Sequence, residues 1–298
     1  MQFDPNQTDF PSPRHRAIWD EGRRIVPLEV SLADIEDTEM LEGCTQIFSW
    51  TQECFAALYA DPYRFAGKTP RDIFRLLGKT GENPDIVDHQ EYPLFSKYFK
   101  LLYGAADKRK VNRLDYLACC DFRVLAPKYQ RSFDDLLRTL PDSLKAYALE
   151  MNEHARTKQA KLEPHKYYCH FRYKYKKEDL MLLRRNSWRR TPLDIAIPYG
   201  DLERFLAIAE AQPDKDALVS YIQRELCACD ACNGRKKAAE RCGKQWAEID
   251  GVWRLPALCH PHISKWKASR HKLEYTDYDI TMLKRMMDIR VMQIDKLK

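Results

Sequence analysis

Five of the ten cysteines in this 298-residue chain fall between Cys227 and Cys259. Cys229-Asp230-Ala231-Cys232-Asn233-Gly234 reads as a turn in which two thiolates with two residues between them can face one ion, and Gly234 relaxes the backbone just after the second ligand. Cys242-Gly243 follows, and Cys259 lies beyond Trp246 to Leu255. Asp250-Gly251 between apolar flanks is a strong hairpin signal, and a hairpin there brings Cys242 and Cys259 to its open end. Cys229, Cys232, Cys242 and Cys259 are therefore the expected ligands of one structural zinc ion. Cys227 is an alternative to Cys229, and His260 or His262 an alternative to Cys259. Four thiolates close a tetrahedral site and leave no position for substrate, so the zinc is structural rather than catalytic. The competing reading is a set of inert buried cysteines, which suits Cys44, Cys54, Cys119, Cys120 and Cys169, scattered among apolar neighbours.

A second chemistry lies in the charges. Residues 1–160 carry 22 Lys and Arg against 25 Asp and Glu, whereas residues 161–298 carry 28 against 19, so all of the net charge of +6 resides in the C-terminal half. Between Arg172 and Arg190 stand eight Lys or Arg and two acids, with Tyr173, Tyr175 and Trp188 interleaved. Arg172, Lys174, Arg184, Arg185, Arg189, Lys236 and Lys237 are candidate contacts to a phosphate backbone, and Trp188 is a candidate stacking surface. The bland alternative is a solvated face with Tyr173 and Tyr175 buried beneath it.

Other catalytic patterns fail. Gly67-Lys68-Thr69 and Gly78-Lys79-Thr80 echo the end of a phosphate-binding loop, but Pro62 and Ile73 occupy the positions where its first glycine must stand. Cys169 and His170 alternate across a predicted strand and so point apart. Glu203 and Glu210 share a helix face without any feature that marks an acid/base pair.

The elements that must hold these residues follow from periodicity. The spacing predicts helices over 44–59, 69–77, 92–103, 108–125, 132–140 and 142–158. After His165 the period drops to two: Phe171, Tyr173 and Tyr175 alternate with Arg172 and Lys174, which predicts a strand with one buried face. Strands over 180–184 and 193–197 and helices over 201–211 and 215–226 follow. Residues 276–298 carry Ile280, Leu283, Met287, Val291 and Ile294 at steps of three and four, an amphipathic helix expected to pack on its own domain. The expected fold class is α+β. Residues 1–40 form a loosely ordered lead-in, 41–160 a helical domain, 161–226 a three-stranded antiparallel sheet with two helices, and 227–298 a zinc-binding hairpin module with the C-terminal helix. From the knuckle to the last helix the order of features resembles a zinc ribbon, with one C-x-x-C where the standard ribbon has two.

Without a secretory signal or an apolar run of membrane-spanning length, the expected location is the cytoplasm, with no membrane partner. The leading expectation is a non-enzymatic, zinc-stabilised binding protein whose basic half meets nucleic acid or another polyanion. One rival is an enzyme or small-molecule sensor with a pocket between helical domain and sheet, lined by aromatics such as Tyr167, Phe171 and Tyr199. Another is an oligomeric scaffold built on the C-terminal helix.

Overall fold

The computed structural model describes residues 4, 6–63, 79–107, 121–126, 129–164, 170–185, 193–225, 247–249, 252–254, 262–263 and 275–296. Mixed helix and a small antiparallel sheet make the fold α+β. The chain divides into two compact units. One is mainly Met1–Asp142, and the other comprises Ser143–Glu163, His170–Asn186 and Arg190–Lys298.

The first unit is helical. Its core is laid down by α3 (Thr38–Ala60), in which Cys44, Ile47, Thr51, Phe55 and Leu58 recur at steps of three and four and are all buried. Asp37 caps this helix, its carboxylate accepting the Met40 amide at 2.7 Å. Against α3 packs α4 (Phe95–Asp107), on which Phe95 and Phe99, one turn apart, stack with centroids 5.1 Å apart. The two helices approach closely at Gly43, where an added Cβ would lie 2.1 Å from the Tyr98 ring.

The stretch whose Asp and Pro content predicts a loose lead-in holds α1 (Pro13–Gly22), a 3-10 turn and α2 (Val26–Leu32). Ile18, Trp19, Ile25, Val26 and Leu28 from these elements are part of the core. Pro13 stands at the first helical position, where its missing N–H costs nothing, so the same residue type that suggests disorder opens a helix.

A buried ionic network ties α2 to the later segments of this unit. Asp121, 1% exposed, accepts both Arg123 at 3.1 Å and Arg131 at 3.0 Å. Arg123 also reaches Asp135 at 3.0 Å and ion-pairs with Asp34. Ser31 of α2 accepts the Phe122 amide at 2.8 Å while donating to the Leu28 carbonyl. Asp135 doubles as the N3 residue of a capping box on α5 (Phe133–Arg138), with Ser132 as its partner.

The second unit is built on a five-stranded sheet in the order β1-β2-β3-β4-β7, with β1 (Lys161–Pro164), β2 (His170–Tyr175), β3 (Glu178–Arg185), β4 (Leu193–Pro198) and β7 (His262–Ile263). Strands β2, β3 and β4 form the antiparallel meander that the alternation predicts. Phe171, Leu183 and Ile195 lie in register on one face, with Tyr173 opposite Met181, and all five are buried. Lys176 and Lys177 close the β2–β3 hairpin with φ of 48° and 75°, the left-handed pair of a two-residue turn that fits the twist of the strands.

Asn152 of α6 (Asp142–Thr157) accepts the Tyr173 hydroxyl of β2, while α7 (Leu202–Glu210) and α8 (Lys215–Glu225) lie on α9 (Asp277–Asp295), which packs against this sheet. Helix α9 buries Ile280, Met282, Leu283, Met286, Met287, Ile289 and Ile294, contacts β3, β4 and α7, and starts from a Thr276–Asp279 capping box. Its buried Arg290 donates to the Asp179 carbonyl at 3.2 Å and to Gln293, whose amide donates to the Asp201 carbonyl at 2.6 Å. Gly200, at φ 57°, leaves room for that guanidinium, since a Cβ there would lie 2.3 Å from it. A separate hairpin pairs β5 (Ala247–Ile249) with β6 (Val252–Arg254).

Candidate functional site

The proposed zinc ligands Cys229, Cys232, Cys242 and Cys259 lie outside the described residues, as do the alternatives Cys227 and His260. What the structure supplies is the hairpin between them. Ile249 pairs with Val252 across Asp250-Gly251, and Ala247 pairs with Arg254 at the open end. Cys242 precedes that open end by five residues and Cys259 follows it by five. Five residues reach at most about 17 Å, so the hairpin is compatible with the expected sharing of one ion by the two cysteines. Among the described residues no group of three or more His, Cys, Asp or Glu is arranged around a metal.

Two of the scattered cysteines fit the inert reading. Cys44 is wholly buried, and burial pushes its thiol up to about 12. Cys54 is raised to about 11 by burial and by the neighbouring Glu53 carboxylate. Both stay protonated at neutral pH and so are poor nucleophiles and poor metal ligands.

Four of the eight candidate nucleic-acid contacts are described. The pairing of His170 with Arg184 and of Arg172 with Leu182 puts Arg172, Lys174 and Arg184 on one face of the sheet, opposite the buried Phe171 and Tyr173. Each of the three meets a carboxylate. Arg172 lies 3.5 Å from Asp179, Lys174 lies 2.8 Å from Glu163, and Arg184 pairs with the buried Asp194 across the β3–β4 register. Arg185 points to the other face and is only 5% exposed. Lys176, at the hairpin turn, reaches Asp295 of α9 at 2.6 Å, with its ammonium 5.1 Å from the Tyr175 ring centroid. Trp188, Arg189, Lys236 and Lys237 lie outside the described residues.

The helices beside the sheet follow the same pattern. Asp288 gathers His154 at 2.9 Å and Lys158 at 2.8 Å, and Arg285 forms a two-pronged bond to Asp214 at 2.7 and 2.9 Å. Burial raises the Asp288 carboxyl, but hydrogen bonds from His154 and Lys158 outweigh it and hold the group below its usual range. The excess of eight cations over two acids between Arg172 and Arg190 leaves out acids that reach these cations from outside that window. Glu163 sits one strand away from Lys174, and Asp295 lies 119 residues from Lys176. More than half of the surplus of nine in residues 161–298 falls in residues 226–274, which contain all the proposed zinc ligands and hold ten Lys and Arg against five Asp and Glu.

No protein-family model, curated protein or solved structure matches this chain. Its chemistry therefore rests on its own residues. Of the aromatics proposed to line a pocket, Phe171 and Tyr199 are buried in the second unit, 0% and 3% exposed, and Tyr167 lies outside the described residues. No described helix is long and apolar enough to cross a membrane.

Proposed function

We propose that this chain is a non-enzymatic, zinc-stabilised binding protein whose cationic surface, carried by the cysteine-bearing segment, engages nucleic acid or a similar polyanion. The distribution of charge carries this reading. On the described sheet and its helices the principal cations are matched to carboxylates, which neutralises them locally and fixes their side chains. The cysteine segment has twice as many cations as acids, so a phosphate backbone finds its counter-charge there. Lys236 and Lys237, two and three residues after Gly234, are the central contacts, with Trp188 and Arg189 beside them in role. Arg172 and Lys174 supply a weaker, already partnered rim.

The zinc ion serves order rather than chemistry. A segment of about fifty residues with a three-residue hairpin pair cannot build a stabilising core of its own, and a tetrahedral thiolate site supplies the missing free energy. The ion would also hold Lys236 and Lys237 between the two halves of its ligand set, limiting the entropy lost when they meet phosphate. The test is the salt dependence of polyanion binding by the zinc-loaded full chain. Affinity for a random-sequence oligonucleotide should fall steeply and linearly in log–log form with salt, and Lys236→Glu with Lys237→Glu should lower the slope by about 2. A chain that binds no better than a neutral control at low salt contradicts the proposal.

A further inference from the structure

We propose that Met292, near the end of α9, is a reversible oxidation site: its thioether takes one oxygen from hydrogen peroxide while the helix stays packed. A contrast within one helix singles it out. Met282 is 4% exposed and Met286 and Met287 are 0%, whereas Met292 is 37% exposed. Met151 and Met181, elsewhere in the same unit, are sealed as well. Oxidant in water therefore reaches the sulfur of Met292 ahead of theirs.

That sulfur already has a hydrogen-bond donor aimed at it. Gln212, two residues past the end of α7, places its side-chain Nε2 3.8 Å from Met292 Sδ, and the same amide donates to the Ile208 carbonyl at 3.1 Å. The backbone N–H of Gln212 donates to the Ala209 carbonyl at 3.1 Å, which fixes the base of the side chain. A thioether is a weak acceptor, so the bond contributes little as it stands. A sulfoxide oxygen is polar and accepts far better.

The amide engages one lone pair of the sulfur and leaves the other to attack the peroxide. The sulfur–oxygen bond forms as the oxygen–oxygen bond breaks. Sulfur gives up two electrons, and the departing hydroxide takes the proton of the transferred oxygen and leaves as water. Attack through one lone pair makes one sulfoxide epimer. Rotation about the Cγ–Sδ bond then turns the new oxygen onto the Gln212 amide, so the product links α7 to α9 as the thioether did. A sulfoxide at Met286 or Met287 would instead bury a new polar group in the core. At Met292 the oxygen has a donor and solvent, and its exposure leaves it open to the reductases that reverse the step, one for each epimer.

The experiment treats the folded full chain with dilute hydrogen peroxide, quenches with catalase, and follows each methionine by peptide mass spectrometry. Met292 should gain its oxygen about tenfold faster than Met282, Met286 and Met287, and urea should erase that advantage by bringing every thioether into solvent. Met292→Leu should remove the fast phase and leave the slow one unchanged. Digestion with each epimer-specific reductase should find one epimer in about threefold excess, and Gln212→Leu should bring the two to parity. Oxidation should leave the wild-type melting temperature within about 1 °C and lower that of Gln212→Leu by about 3 °C. The rate contrast is read on the wild type, so it stands even where Gln212→Leu fails to fold. Met292 reacting no faster than the buried methionines of α9, equal epimers in the wild type, or the same fall in melting temperature with and without Gln212 overturns the proposal.

Discussion

The two units of this molecule carry comparable numbers of charged residues and bury them in different arrangements. The helical unit sinks its ionic groups: Asp121, Arg123, Arg131 and Asp135 are all nearly inaccessible and lean on one another. The sheet unit also buries carboxylates, Asp194, Glu225 and Asp279, but their partners Arg184 and Arg224 stay partly exposed. Pairs such as Arg172–Asp179 and Lys174–Glu163 lie nearer the surface, while in the sequence Lys and Arg outnumber Asp and Glu most strongly within residues 226–274. The difference teaches where charge is structural and where it is available. Buried pairs cannot be given up to a ligand without leaving a desolvated charge behind. Exposed pairs are worth little and exchange readily, so their cations stay open to a partner.

The largest effect expected is loss of the proposed zinc. Chelation, or Cys229→Ser with Cys232→Ser, removes a stabilisation of roughly 10 kcal/mol from the segment that depends on it. Oligonucleotide binding should then collapse, while the near-ultraviolet signal of the helical unit's aromatic core persists. Loss of both signals together would erase the distinction between the units.

Next in size is the contrast between ion pairs. Asp121→Ala leaves Arg123 and Arg131 without the carboxylate they share and should cost about 3–5 kcal/mol in urea unfolding. Glu163→Ala, which removes the surface partner of Lys174, should cost about 0.5 kcal/mol. Equal costs would break the comparison. Of similar nature but smaller is Gly43→Ala, which drives a methyl into the Tyr98 ring and should cost about 1–3 kcal/mol by forcing α3 and α4 apart.

Acid sharpens the same contrast. Burial raises the Asp135 carboxyl, but the Tyr129 hydroxyl, the Ser132 amide and Arg123 together hold it below the ordinary value of 3.8. A depressed carboxyl contributes stability that is complete above its unfolded value and fades as pH falls through the folded one. Stability should thus hold down to about pH 4 and decline below it, and Asp135→Asn should flatten that decline. The smallest effect is favourable. Lys177→Gly relieves a left-handed backbone at a non-glycine residue and should add about 1 kcal/mol in the same unfolding experiment.

Much of this architecture is legible in the sequence wherever a repeating period meets a buried face. The alternation through Phe171 and Tyr173 places β2 and its inward side, and the spacing of Ile47, Phe55 and Leu58 places α3. The N-terminal helices escape that logic. Ile18, Trp19 and Ile25 are buried through contacts with α3 that no local period encodes, and the prolines around them mimic a disordered lead-in. The site is legible to a smaller degree. Parity puts Arg172 and Lys174 on the outer face, yet only the register reveals that Asp194 sits against Arg184 and Glu163 near Lys174. The buried network around Asp121 leaves no local sign either, because its members read one by one as ordinary surface charges.

The account stands or falls on metal content. Elemental analysis of the full chain, purified without added metal, should find one zinc per molecule, lost when Cys242→Ser is combined with Cys259→Ser. A native chain that carries no stoichiometric zinc would contradict it.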